Sequence, residues 1–156
     1  MRLRNLATLL LLLVPLISSA QSAREKDRIA NEWKKTLPAP DADYGTYPTD
    51  YEAVVKAYME TTLKDPESVR YGEFSKPRKE HIITKVDAKE AAYGYSVCVL
   101  VNAKNSYGGY TGNHQYWFFL RDGKVVRSKD VDSGYFGKII YQGRNVNCQD
   151  GEPPAA

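Results

Sequence analysis

Residues 93–103 read YGYSVCVLVNA and residues 114–121 read HQYWFFLR. In the first stretch Tyr93, Tyr95, Val97, Val99 and Val101 fall on one face of an extended chain, while Cys98 and Leu100 make part of the opposite face apolar too. A strand apolar on both faces belongs in the middle of a sheet. The second stretch carries Tyr116, Trp117, Phe118 and Phe119 and predicts another central strand. Asp122-Gly123 then leads into Lys124-Val125-Val126-Arg127 with the spacing of a two-residue type I′ hairpin, in which Gly accepts positive φ without steric cost.

Working outward, Val69, Tyr71 and Phe74 predict one further strand and residues 81–86 another. Upstream the period changes. Tyr51, Val54, Val55, Tyr58, Met59 and Thr62 recur at helical spacing, and Thr49-Asp50-Tyr51-Glu52 matches a capping box, so a helix is expected over residues 49–64. Asp65-Pro66 ends it, because the residue before proline disfavours the helical conformation, and 65–68 reads as a short helical corner. Residues 22–35 form a polar helical stretch with Ser22 as its expected N-cap. Residues 37–48 hold three prolines and a glycine and read as a linker or a wrapping arm. After residue 133 the pattern is mixed, with Ile139, Ile140 and Tyr141 as a last strand or a helical turn. The expected fold is α+β, with one main helix packed on an antiparallel sheet of four to five strands and a peripheral N-terminal helix. The expected divisions are a signal peptide over 1–20, a polar helix and Pro-rich linker over 21–48, a single domain over 49–149, and a disordered tail over 150–156.

The address comes from the N-terminus. Arg2 and Arg4 precede an apolar run from Leu6 to Ile17, and Ser18-Ser19-Ala20 supplies the small residues of a cleavage site. About twelve apolar residues are too few to cross a bilayer, which takes roughly twenty. The mature chain is therefore expected to start at Gln21, to be soluble, and to be periplasmic or secreted. Cleavage leaves 136 residues, enough for one modest core, and lowers the formal charge from +3 to +1. A near-neutral domain gives no electrostatic reason to bind nucleic acid, and the basic group Lys76, Arg78, Lys79 and Lys85 reads as a solvated loop. Cys98 and Cys148 are the only cysteines; in an oxidising compartment an even count predicts their pairing.

Between the two central strands, residues 102–113 (NAKNSYGGYTGN) combine three glycines and three asparagines with Tyr107 and Tyr110. Tyrosine supplies rigid amphipathic area, and Ser, Gly and Asn supply adaptable hydrogen bonding, as in recognition loops. The competing reading is a long hairpin loop whose tyrosines fold back on the sheet. The order of the capped helix, LKDPES at 63–68, VCV at 97–99 and VNAKNSYGGYTG at 101–112 resembles a family of small exported bacterial proteins, many of them lipoproteins, without assigned function. The likeness covers roughly residues 49–121 and implies common architecture and export, but transfers no catalytic residue. No lipidation Cys follows the cleavage point, which argues against a membrane anchor.

Catalytic patterns are sparse. His81 lies beside a basic run that would lower its proton affinity, and His114 stands next to the Gly-rich loop. Ser106 and Asp122 could complete a triad with His114, yet no strand-turn-helix elbow presents Ser106. Asp130 and Asp132 form a pair of carboxylates, though nothing in the sequence sets their separation. No metal-binding or cofactor motif is present. The sequence therefore points to an exported, non-catalytic binding protein. Its contact residues would be Asn105, Ser106, Tyr107, Tyr110, Asn113 and His114, its target a protein or a cell-wall glycan. A small cell-wall hydrolase using His114 is the runner-up; a periplasmic inhibitor or immunity protein is the third reading.

Overall fold

The computed structural model describes residues 14–141 and 144–153. Its centre is a five-stranded antiparallel sheet. β1 (Arg70–Phe74), β3 (Glu90–Asn102), β4 (His114–Arg121) and β5 (Lys124–Asp130) follow one another across it, and β2 (Arg78–Lys85) pairs with β3 as well. β1 occupies the end of β3 near Asn102, through Arg70↔Asn102 and Phe74↔Val99. Ser75, just past β1, donates its N–H to the Cys98 carbonyl at 2.9 Å and accepts the Cys98 N–H on its hydroxyl at 2.8 Å.

The alternation in 93–103 and 114–121 sorts the core into two layers. On one face Val97, Val99 and Val101 join Phe118 and Leu120 beneath Val55 and Met59 of α2 (Tyr51–Thr62). α1 (Val14–Lys35) is the other long helix. On the opposite face Cys98, Trp117 and Phe119 meet Ile82, Val131 and Ile140. That second layer is closed by the C-terminal segment, with α3 (Gly134–Gly137), β6 (Ile139–Tyr141) and β7 (Arg144–Asn145), where Tyr141, Val146 and Cys148 pack. The Cys98–Cys148 disulfide ties this cover to the middle of β3. The expected α+β class is the one observed. At the β4–β5 turn both central residues take positive φ, Asp122 at 49° and Gly123 at 70°, as a type I′ turn requires. A bulge between Phe119 and Leu120 shifts the register beyond that turn.

Several expectations are corrected. α2 begins after Asp50, which makes no side-chain cap bond, so the capping box at Thr49 does not form. Glu52 instead pairs with Lys56 one turn on, at 3.1 Å. Ser22 lies inside α1, because helix-forming residues flank it on both sides. Residues 1–13, most of the expected signal, lie outside the described residues. The group expected as a basic loop is largely strand, since Arg78, Lys79 and Lys85 belong to β2. The tail expected to be disordered from residue 150 is anchored at its start: the Lys76 N–H donates to Asp150 at 2.9 Å, and the Gly151 N–H to the Lys76 carbonyl at 3.1 Å. Residues 41–48 are an arm, with Tyr44 and Tyr47 set edge-on or tilted against Tyr93 and Tyr95 and Asp43 paired to Arg121 at 3.0 Å.

The chain divides into two compact units, one of residues 41–84 and 91–156 and the other of residues 1–40 and 85–90. In the second, α1 carries the ion pairs Glu25–Arg28 and Arg28–Glu32 at 2.6 and 2.7 Å, and its side chains from 20 to 29 are exposed. Among the described residues no helix is long and apolar enough to cross a membrane.

Candidate functional site

Residues 102–113 prolong the β3–β4 hairpin. Lys104 and Tyr110 bridge as in an antiparallel ladder, and the Thr111 N–H donates to the Ala103 carbonyl at 3.1 Å. Asn105 shapes the tip. Its amide oxygen accepts the N–H groups of Tyr107 (2.9 Å) and Gly109 (3.2 Å), while its main chain exchanges bonds with Gly109 and Gly108 at 2.8 and 3.0 Å. Gly108 takes φ +81°, a value a side chain would resist. Asn105 is thus a structural residue of the turn rather than a free contact.

The turn presents Tyr107 to solvent, 96% exposed. An apolar ring held this way on a fixed main chain buries its area only against something outside the chain. Tyr110 is different: at 39% exposed it lies under the Arg70 guanidinium, 4.4 Å from the ring centroid, with the Lys104 ammonium at 5.7 Å. Cation–π contacts of this kind fix the ring against the sheet. The two readings of the loop therefore divide between its tyrosines, with Tyr107 projecting and Tyr110 folded back.

The hairpin base is tied to the 3₁₀ corner Pro66–Ser68. The Lys104 N–H donates to the Ser68 hydroxyl at 3.1 Å, and the Lys64 ammonium donates to the Ser106 hydroxyl at 2.9 Å. The segments LKDPES and NAKNS, separated by some forty residues in sequence, are neighbours in space.

Below the hairpin lies a cleft of about 200 Å³ bordered by Leu63, Val101, Ala103, Thr111, His114 and Asp130. His114, at the start of β4, approaches Asp130 Oδ2 through Nδ1 at 3.2 Å. Asp130 Oδ1 accepts the Asp132 N–H at 3.0 Å, and Asp132 Oδ2 accepts the Gln115 N–H at 2.7 Å. One donor atom from each of His114, Asp130 and Asp132 lies within 4.8 Å of the others. Burial raises the proton affinity of the neighbouring Tyr116 phenol, and the Asp130 charge adds to it.

The triad of His114 with Ser106 and Asp122 does not assemble. Asp122 follows the far end of β4 and accepts from Arg121 Nε at 3.1 Å, while Ser106 is engaged by Lys64. Asn113 is exposed at the foot of the hairpin. The residues missed from sequence are Asp130 and Asp132 as partners of His114, and Arg70 and Lys104 as partners of Tyr110. A signal for the first existed: folding β4 onto β5 about the two-residue turn places His114 opposite residue 131 or 132.

A second polar cluster is buried beside β2. Glu80 and His81 are 1% and 2% exposed. Glu80 accepts from Arg144 Nη2 and from the His81 N–H. Arg144 Nη1 stands 2.7 Å from both His81 ring nitrogens, and Nε2 is 3.0 Å from the Tyr141 hydroxyl. A guanidinium N–H can only donate, so the neutral tautomer with Nδ1 accepting from Arg144 and Nε2–H donating to Tyr141 pairs both ring nitrogens, while Glu80 Oε2 has no hydrogen-bond partner. Burial lowers the His81 pKa to about 4, and the Arg144 charge adds to the effect. The direction is the one expected from sequence, but its main cause is burial, not the neighbouring basic run. Burial also raises the Glu80 pKa, against the opposing pull of the His81 N–H and Arg144.

No protein-family model matches the chain, and neither the curated proteins nor the solved structures contain a match to it.

Proposed function

We propose that this is an exported, non-catalytic binding protein whose contact surface is the 102–113 hairpin, with Tyr107 as its apical anchor. The observation that carries this reading is the 96% exposure of Tyr107 on a turn whose main chain is fixed by Asn105. Preorganisation of this kind lowers the entropy lost on association. Lys64, Arg70 and Lys104 surround the hairpin and favour an anionic protein surface or the carboxylate-bearing glycan of a cell wall. Export is supported by the cationic-apolar N-terminal pattern and by the disulfide.

Capture of the protein by isolated peptidoglycan and by periplasmic extract tests the reading. Tyr107→Ala should weaken capture by about 1–3 kcal/mol while leaving the melting temperature unchanged, because its ring packs on nothing in the fold. Undiminished capture would sink the assignment of this surface. The His114–Asp130 pair supports a second reading, a small cell-wall hydrolase with His114 as general base. In that case His114→Ala would abolish turnover of peptidoglycan and spare its capture.

A further inference from the structure

We propose that His114, Asp130 and Asp132 form an open three-ligand site for a borderline divalent cation of the zinc class, at the mouth of the cleft beneath the hairpin. Two neighbouring segments bring the donors together, His114 from the start of β4 and the carboxylates from the end of β5 and the turn after it. The spacing fits an ion. Donors about 2.1 Å from zinc stand roughly 3.4 Å apart along a tetrahedral edge and about 4.2 Å apart at most, and His114 Nδ1 and Asp130 Oδ2 are already 3.2 Å apart. The 4.8 Å limit on the remaining separations requires at most about 1.4 Å of closure to reach a tetrahedral edge. A small rotation of Asp132, the exposed member, supplies it.

The carboxylates are oriented before any ion arrives. Asp130 is held through Oδ1 by the Asp132 N–H, and Asp132 through Oδ2 by the Gln115 N–H. Hydrogen bonds to ligating carboxylates act as the supporting shell that aims them at a metal. One imidazole and two carboxylates suit zinc, nickel or copper better than calcium, which collects six to eight oxygens. Because His114 and Asp130 also border the cleft, the coordination positions left open face a space lined by Thr111 and by apolar Leu63 and Val101. Open positions are where a metal takes an exogenous ligand.

The chain makes the assignment unusually clean to test. It contains two histidines, and His81 is buried with its ring nitrogens committed to Arg144 and Tyr141. Both cysteines are in the disulfide. An imidazole bound to an added ion is therefore that of His114.

The experiment titrates the disulfide-bonded protein, stripped with chelator and dialysed, with Zn²⁺ by calorimetry and with Cu²⁺ followed by pulsed electron paramagnetic resonance. Expected are saturation at one ion per chain and the nitrogen modulation of a single imidazole. His114→Ala and Asp132→Asn should each weaken Zn²⁺ binding by at least about tenfold, and His114→Ala should remove the modulation. Asp87→Asn and Tyr107→Ala should leave the affinity unchanged, so the result does not depend on the hairpin's role in binding. Failure to saturate at one ion per chain, Cu²⁺ spectra without imidazole coupling, or full affinity in either ligand variant would overturn the proposal. Should His114→Ala fail to fold, Asp132→Asn decides alone, since an exposed carboxylate can be neutralised without disturbing the core.

Discussion

Acid should destabilise this protein through one residue before its carboxylates titrate. An unfolded His81 takes up its proton near pH 6.5, whereas the folded one resists until about pH 4. Between those values the unfolded state binds more protons, so stability falls as the pH falls from 6.5 towards 4 and levels off below. The complete shift is worth about 3 kcal/mol, and the part expressed between pH 7 and pH 5 is about 2 kcal/mol. Glu80 acts in the opposite sense: its raised proton affinity adds stability as the medium drops towards the carboxylate range, which blunts the lower end of the decline. Asp43, whose affinity is lowered chiefly by the Gly45 N–H and then by Arg121, loses its contribution only at still lower pH. The assay is urea unfolding followed by tryptophan fluorescence at pH 7, 6 and 5, for the native sequence and for His81→Phe. The variant gives up its bonds to Arg144 and Tyr141 and should be weaker throughout, so the informative quantity is the slope. The native protein should lose about 2 kcal/mol more than the variant over this range. Parallel curves would refute a His81 held neutral by its burial.

Reduction of Cys98–Cys148, which spans 50 residues, should cost about 4 kcal/mol in the chain-entropy model; identical unfolding midpoints with and without reductant would contradict it. Thr49→Ala should change stability by less than roughly 0.5 kcal/mol, as for a surface substitution without a specific role, and a larger loss in chemical denaturation would restore the capping box. Gly123→Val puts a β-branched residue at φ +70° and should cost more than about 1 kcal/mol, although no atom lies within 4 Å of the added Cβ. A neutral Gly123→Val would mean that the turn adopts another geometry.

Where the fold was legible, the signal was local and redundant. Strands β3 and β4 declared themselves through two apolar faces, and Asp122-Gly123 fixed their neighbour because few dipeptides tolerate two consecutive positive φ values. The start of α2 was misplaced by one residue, since Thr49 and Asp50 are both acceptable caps and only the backbone decides between them. The cover over Trp117 and Phe119 could be guessed only through Cys148: α3, β6 and β7 are too short to show a period of their own. At the candidate site, the loop stood out through its turn formers, but which of its two tyrosines projects did not. His114 was singled out but its partners were not. Locating Asp130 and Asp132 beside it required the hairpin register and its bulge, and the burial of Glu80 depends on Arg144, sixty-four residues later.

The two core layers draw on different lengths of the chain. A chain delivered from its N-terminus has every residue of the α2 layer once β5 is out, with Val125 the last to arrive. The opposite layer must wait for Ile140, Val146 and Cys148, almost the end of the chain. During that interval Trp117 and Phe119 form an uncovered aromatic surface, the kind of surface that holding chaperones bind. Released chains that stop between residues 130 and 148 should thus bind such a chaperone more than the full chain does, and Cys98 in them should stay reactive towards thiol reagents. Loss of residues 140–148 would then strip that surface of its cover.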